Sequence, residues 1–223
     1  MGPEATADFF REIIRLTPAQ KDQDHIPVLI YSNPQVPDRT RAILEGSESP
    51  LPQLIETARL LERAEVGILA MPCNTAHYYY SQLQAAVHTP ILNMIEETVA
   101  RFRSRCPEGR TAGLLATSGT VQSGIYQDTF ARSGINVLAP DADEQASVQA
   151  AIHQVKAGAH NADTEHMLES LGARLVARGA QAVVLGCTEI PLAFNDARVP
   201  YPVLNATRIL AQAAVDWALS RRP

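Results

Sequence analysis

The sequence predicts an α/β protein made of two similar lobes, each a parallel sheet flanked by helices. Three observations carry this. Continuous apolar runs such as VGILAM (66–71), TAGLLA (111–116) and AVVLGC (182–187) read as strands buried on both faces. Segments of helical apolar spacing alternate with them. The two halves also repeat one another. ILAMPCNTAH and VVLGCTEIPL share an apolar run, a cysteine, a threonine and a helix start. Cys73 and Cys187 lie 114 positions apart, and the prolines of TPILN (89–93) and YPVLN (201–205) lie 112 apart. Two features at nearly one offset imply a duplicated lobe.

The elements follow in order. Phe9, Phe10, Ile13 and Ile14 share one face of a helix over 4–16, and VLIYS (28–32) reads as a strand. Residues 33–50 hold Pro34, Pro37, Pro50 and Gly46 and read as a long loop of the kind that often carries function. Leu51, Leu54, Ile55, Ala58 and Leu61 mark the next helix. After the strand at VGILAM come a helix beyond Asn74, a strand at PILNM and a helix from Glu96. The second half places strands at TAGLLA, NVLAP, AVVLGC and PVLN. Its helices follow Thr120, span about 143–157 and 163–178, and close the chain around Ile209, Leu210, Ala213 and Trp217. Residues 1–94 with 206–223 are assigned to the first lobe, and 95–205 to the second. Shifting TAGLLA back by the repeat offset of 114 puts its counterpart at about residues −3 to 2, so the first lobe is expected to lack its opening strand. Such a lobe would carry an unpaired edge and an exposed apolar slot.

Composition excludes several function classes. The chain has 223 residues, 46% hydrophobic and 19% charged, with a formal charge of −5, enough apolar material for a substantial core. A mildly acidic chain without a Lys/Arg stripe is not a general nucleic-acid binder. No run is long enough to span a membrane, and Glu4, Asp8, Arg11 and Glu12 rule out a signal peptide at the start, so a cytoplasmic location is expected. GTVQSG lacks the lysine of a phosphate loop, and no G-x-G-x-x-G opens a helix.

Three cysteines, Cys73, Cys106 and Cys187, do not make a disulfide framework. Cys106, in RSRCPEGR, is given no role. Cys73 and Cys187 each end a buried strand ahead of a helix start, where free N–H groups and the helix dipole can hold an anion and favour a thiolate. Ligands of parallel sheets bind beyond the strands' carboxyl ends. Two opposed thiols suit inversion of a carbon stereocentre: one removes the proton from one face, the other delivers a proton to the opposite face, and the reverse reaction exchanges their roles. Carboxylates are poorly matched bases for so weak a carbon acid; thiolates in a dry site are closer. Cys73 with His77, four residues on, leaves two other chemistries open: a cysteine hydrolase and a zinc pair. The zinc pair has only Cys187 as a third ligand, so no metal is expected. Glu189 reads as a first-turn helix acid, and Tyr78 to Tyr80 as helix packing.

The sequence resembles the aspartate/glutamate racemase family, which works without pyridoxal phosphate. The likeness rests on MGPEAT, SNPQVPDRT (32–40), ILAMPCNTAH, LLATSGT and VVLGCTEIP, in family order along nearly the whole chain. SNPQVPDRT points to the aspartate racemase branch. The resemblance implies two lobes with the active site in the cleft between them, no cofactor, a small acidic amino acid as substrate and a homodimer. It implies Cys73 and Cys187 as acid/base thiols and Arg39 and Lys156 as cationic substrate groups, Arg39 being able to grip a carboxylate with two parallel bonds. Asn74, Thr75, Thr117 and Thr188 would bond the α-carboxylate and ammonium, and the start motif adds Thr6. The competing expectations are the Cys73–His77 hydrolase, an isomerase or decarboxylase of a dicarboxylate on the same scaffold, and an inactive dicarboxylate binder.

Overall fold

The computed structural model describes residues 1–221. The chain folds as an α/β structure with two parallel sheets, one per lobe. The second lobe is the fuller one. Its sheet runs β4-β3-β5-β6, from β3 (Thr111–Ala116), β4 (Asn136–Leu138), β5 (Ala182–Gly186) and β6 (Val203–Asn205), all parallel. Side chains alternate across this sheet, as a two-residue period requires. Leu115, Val183 and Leu185 enter one core with Ile152 of α8 (Ala142–Lys156) and Leu168 and Leu175 of α9 (Ala162–Ala177). Leu114, Ala112 and Val184 enter the other core. They meet Phe102 of α5 (Met94–Arg105) and Tyr126 and Phe130 of α7 (Ile125–Ala131). Burial on both faces is why these strands are unbroken apolar runs.

The first lobe repeats half of this design. Its strands are β1 (Leu69–Ala70) and β2 (Ile91–Leu92). Leu69 stands opposite Ile91 as Val183 stands opposite Val203. Leu69 N–H donates to the Pro90 carbonyl at 2.9 Å, and Val183 N–H to the Pro202 carbonyl at 2.9 Å. Each second strand ends on an asparagine that caps the next helix: Asn93 accepts from Ile95 and Glu96 N–H, and Asn205 from Arg208 N–H. The helix capped by Asn205 is α10 (Ala206–Leu219). It packs Leu210, Ala211 and Val215 against Phe9 and Ile13 of α1 (Pro3–Leu16) and Met94 of α5, tying the lobes together. The internal repeat is therefore a repeat of register and capping as well as of residues.

Two expectations need correction. VLIYS is extended but joins no strand ladder. Leu29 is 52% and Tyr31 48% exposed, and among the described residues no backbone N–H of 28–31 donates a hydrogen bond. Strand propensity without a strand beside it makes no sheet. Among the described residues no strand takes the place in the first sheet that β3 takes in the second. An apolar slot of ≈ 670 Å³ lies there, walled by residues that include Phe9, Ile13, Val28, Ile30, Leu54, Ile68 and Trp217. The second correction concerns residues 33–50, which are not all loop. They contain α2 (Arg39–Glu45), started by Asp38, whose side chain accepts from Arg41 N–H at 2.8 Å, and stopped by Gly46 at φ 64°. Asp at the N-cap and Gly in the left-handed region are the expected boundary residues. The short α3 (Leu51–Arg63) and α4 (Tyr80–Ala85) complete the first lobe. No helix of the described residues is long and apolar enough to cross a membrane.

Candidate active site

The site is built where the two lobes meet, beyond the carboxyl ends of β1 and β5. Pro72 ends the first of these strands, since it has no N–H for a ladder. Cys73 follows, its N–H donating to the Met71 carbonyl at 2.7 Å, and the chain turns into a 3₁₀ helix, Thr75–Tyr79. In the second lobe β5 runs directly into Cys187, whose carbonyl accepts from Ile190 N–H at 3.1 Å as a 3₁₀ turn begins. Both thiols are free and buried, with relative exposures of 9% and 5%. They line one cleft together with Arg39, Asn74, Thr75, Thr117, Lys156 and Thr188, eight of the nine residues expected from sequence.

Thr6 is the ninth and stands elsewhere. Its hydroxyl donates to the Gly2 carbonyl at 3.1 Å within the first turn of α1, and it lines the apolar slot rather than the cleft.

Hydroxyls form the seam between the lobes. Thr75 of the first lobe is 2.9 Å from Thr117 and 2.8 Å from Thr120, and those two are 2.9 Å apart, a closed triangle of Oγ1 atoms. Thr117 also caps α6 (Ser118–Gln122) through Thr120 N–H. The helix α6 packs tightly on α2. A Cβ at Gly119 would sit 2.8 Å from the Thr40 Cα, so only glycine lets the two backbones come this close. That approach brings Arg39, at the start of α2, to the cleft.

A second bond crosses the seam. Tyr126 of α7, fully buried, donates to Asn74 Oδ1 at 2.5 Å. Burial pushes the Tyr126 phenol above its ordinary range, so it stays a donor. With its oxygen so committed, Asn74 points a buried, unpartnered Nδ2 amide, and Arg39 Nε is likewise buried without an acceptor. Unpaired buried donors are costly and mark a place where an acceptor is expected. Arg39 is otherwise held by Nη1 bonds to the Val36 and Pro37 carbonyls at 3.2 and 3.1 Å. Burial opposes its charge but is outweighed by Cys73, Asp38 and Glu189, and its pKa is raised.

The two sulfurs have opposite electrostatic neighbours. Cys73 lies beside the Arg39 guanidinium. Cys187 Sγ donates to Glu189 Oε2 at 3.0 Å, and Thr188 Oγ1 donates to the same oxygen at 3.2 Å. Burial first, then the Glu189 charge, pushes the Cys187 thiol well above its ordinary value. Glu189 does not serve as the acid of a long helix, for it precedes only the four-residue turn Ile190–Ala193. Tyr126 and Thr120 are neighbours of the site that no sequence motif singles out, and Glu189, which reads from sequence as a first-turn helix acid, sits against the Cys187 sulfur instead. The proximity of Glu189 to Cys187 in the sequence was the one available signal.

His77 is excluded as a base for Cys73. Its Nδ1 donates to the Cys73 carbonyl at 2.9 Å and its Nε2 accepts from Met94 N–H at 3.1 Å. Both ring nitrogens are spent on backbone, in a fully buried position where desolvation holds the ring neutral. Its role is structural, which removes the expectation of a Cys73–His77 hydrolase.

Known proteins match this arrangement. The profile of the Asp/Glu/hydantoin racemase family covers residues 1–214. A broad specificity amino-acid racemase, RacX of Bacillus subtilis (strain 168), is 29% identical over 99% of this chain and 96% of its own. The solved aspartate racemase of Picrophilus torridus superposes with a TM-score of 0.87 at 30% identity, covering 99% of this chain and 91% of that one. A solved aspartate racemase homologue from Pyrococcus horikoshii OT3 gives 0.78 at 25% identity, over 97% and 95%. A two-lobed α/β scaffold, a thiol from each lobe on one cleft and a family profile spanning nearly the whole chain agree: this chain belongs to the Asp/Glu/hydantoin racemase family and is an amino-acid racemase.

Proposed function

We propose that this protein interconverts L- and D-aspartate, accepting glutamate as a second acidic substrate, by a two-thiol mechanism without a cofactor, as a cytoplasmic homodimer. The observation that carries the reading is the placement of Cys73 and Cys187, one from each lobe, on the same cleft at matching strand ends. The α-carboxylate and side-chain carboxylate would take the open donors, Asn74 Nδ2 and Arg39 Nε, with Lys156 at the end of α8 as a further cation. The similarity to the Picrophilus torridus aspartate racemase favours aspartate.

The chemistry follows from the charges. One cysteine, as thiolate, takes the α-proton. The electron pair left on carbon delocalises into the α-carboxylate, whose growing charge the cationic and amide donors stabilise. The other cysteine, as thiol, gives its proton to the opposite face. The cleft encloses ≈ 20 Å³, room for about one water molecule. An amino acid needs more, so the lobes part to admit substrate and close to exclude water.

The test is incubation with L-aspartate in D2O, measuring D-aspartate and α-deuterium. Both are expected in wild type, and Cys73→Ser and Cys187→Ser are each expected to abolish racemisation. Full activity in either variant would end the two-thiol reading.

A further inference from the structure

Thr120 does not line the cleft, yet it is bonded to two residues that do. It lies in α6, fully buried, with its Oγ1 2.8 Å from Thr75 Oγ1 and 2.9 Å from Thr117 Oγ1. Thr75 and Thr117 are themselves 2.9 Å apart and both border the cleft. Backbone contacts fix Thr120 in place. Its N–H donates to Thr117 Oγ1 at 3.1 Å, its carbonyl accepts from Ser123 Oγ at 2.9 Å, and the preceding Gly119 is pressed against Thr40.

The protons of this triangle can be counted. A hydroxyl has one proton to give and two lone pairs to receive. Three hydroxyls therefore hold three protons for three contacts. The ring is satisfied on its own when each hydroxyl donates to the next, all in one sense. Thr117 is then saturated, since its second lone pair takes the Thr120 N–H. Such a ring offers no proton to anything outside it. A carboxylate can only accept, so to be held here it must draw one proton out of the ring. Thr75 and Thr117 can supply it, because they border the cleft. Thr120 cannot, because among the described residues its hydroxyl meets no group except those two.

We infer that Thr120 is a positioning residue, whose hydroxyl always donates into the ring and so turns a proton of the Thr75–Thr117 pair outward to a carboxylate in the cleft. This deepens the acidic-substrate reading and rests on it. On binding, the closed ring becomes an open chain. Thr120 donates to one cleft hydroxyl, that hydroxyl to the second, and the second to the carboxylate. Each donor in such a chain polarises the next, so the final bond is stronger than one from an isolated hydroxyl. Thr75 comes from the first lobe, and Thr117 and Thr120 from the second. The chain therefore exists only with the lobes together, which ties the grip on the anion to the exclusion of water.

The test uses succinate, a four-carbon dicarboxylate without an α-ammonium, as the probe, with binding to the whole protein followed by calorimetry. Thr120→Val keeps the side-chain shape and removes the hydroxyl. It is expected to weaken succinate about fivefold, the worth of one net hydrogen bond, and to raise the KM for L-aspartate by as much, with the larger part of the loss in KM rather than kcat. Thr120→Ser keeps the hydroxyl and drops the methyl, and is expected to return most of the affinity. A role in packing alone gives the reverse ranking: Thr120→Ser, which leaves a void, would melt below Thr120→Val, and neither would change the affinity of the folded protein.

Equal succinate affinity in wild type and Thr120→Val would overturn the assignment, as would a Thr120→Ser that binds as weakly as Thr120→Val. The racemase reading fails by a different result, a wild type that binds succinate but exchanges no α-hydrogen, and the succinate comparison then still decides the part of Thr120. A wild type that binds no succinate ends the acidic-substrate reading and this assignment with it.

Discussion

Tyr126 Oη donates to Asn74 Oδ1 at 2.5 Å across the seam between the lobes. The bond fixes which end of the Asn74 amide is which: oxygen toward Tyr126, and Nδ2 without an internal acceptor. Tyr126→Phe removes the donor and lets the amide flip, presenting an oxygen where a carboxylate would bind. The expected result is a KM for aspartate about tenfold higher, the worth of one hydrogen bond near 1.4 kcal/mol. Steady-state kinetics with both enantiomers measures it; an unchanged KM would show that the amide orientation does not matter.

Arg39 is tied by Nη1 to two backbone carbonyls while its Nε is open. Arg39→Ala removes the charge-assisted bond to a side-chain carboxylate. Such bonds contribute about 1.5–3 kcal/mol, so kcat/KM for aspartate is expected to fall on the order of a hundredfold. Alanine and serine should suffer far less. Equal loss on all substrates would place Arg39 at the shared α-carboxylate.

Stability should have a plateau with an edge on each side. Burial holds the His77 pKa below its ordinary value of 6.5. The unfolded chain therefore binds a proton that the folded chain refuses, and stability is lost as pH falls below about 6.5. Burial and Glu189 hold the Cys187 pKa up. Above the ordinary thiol value of about 8.5 the unfolded chain loses a proton that the folded chain keeps, so stability falls as pH rises. Tyr201, pushed up to about 12, adds to that loss in stronger alkali. Each group contributes a slope of about 1.4 kcal/mol per pH unit once its unfolded form has titrated. Thermal melting across pH 5–10 should peak between about 6.5 and 8.5, and Cys187→Ser should soften the alkaline edge.

His77 itself separates structure from chemistry. His77→Ala leaves the Cys73 carbonyl and Met94 N–H unpartnered in a buried place, at a cost of about 2–4 kcal/mol. Melting is expected to drop by several degrees, while the variant, assayed cold and folded, still racemises. Complete loss of turnover with full stability would reinstate His77 as a proton carrier.

Most of the scaffold was legible because its strands are buried on both faces and so print as unbroken apolar runs. TAGLLA is observed over its full predicted span, 111–116. VLIYS carries the same print but has no neighbour on the side where one is needed, a fact about space that a residue pattern does not contain. Helix α2 was written in the sequence by Asp38 and Gly46, yet three prolines around it masked the signal. The thiols could be found because each is local to a strand end. Tyr126 and Thr120 could not, since they meet Asn74 and Thr75 across separations of 52 and 45 residues and no periodicity reports such contacts. Glu189 was visible and misread, because the turn after it is too short to need an acid.

The apolar slot beside β1 has a dynamic consequence. The lobe carrying Cys73 and Arg39 has a two-stranded sheet over that slot, while the lobe carrying Cys187 rests on four strands packed on both sides. Deuterium should enter the amides of Leu69–Ala70 long before those of Ala182–Gly186, and a protease should nick the first half sooner. Transient melting would then dismantle the guanidinium-bearing wall of the cleft and leave the carboxylate-bearing wall standing.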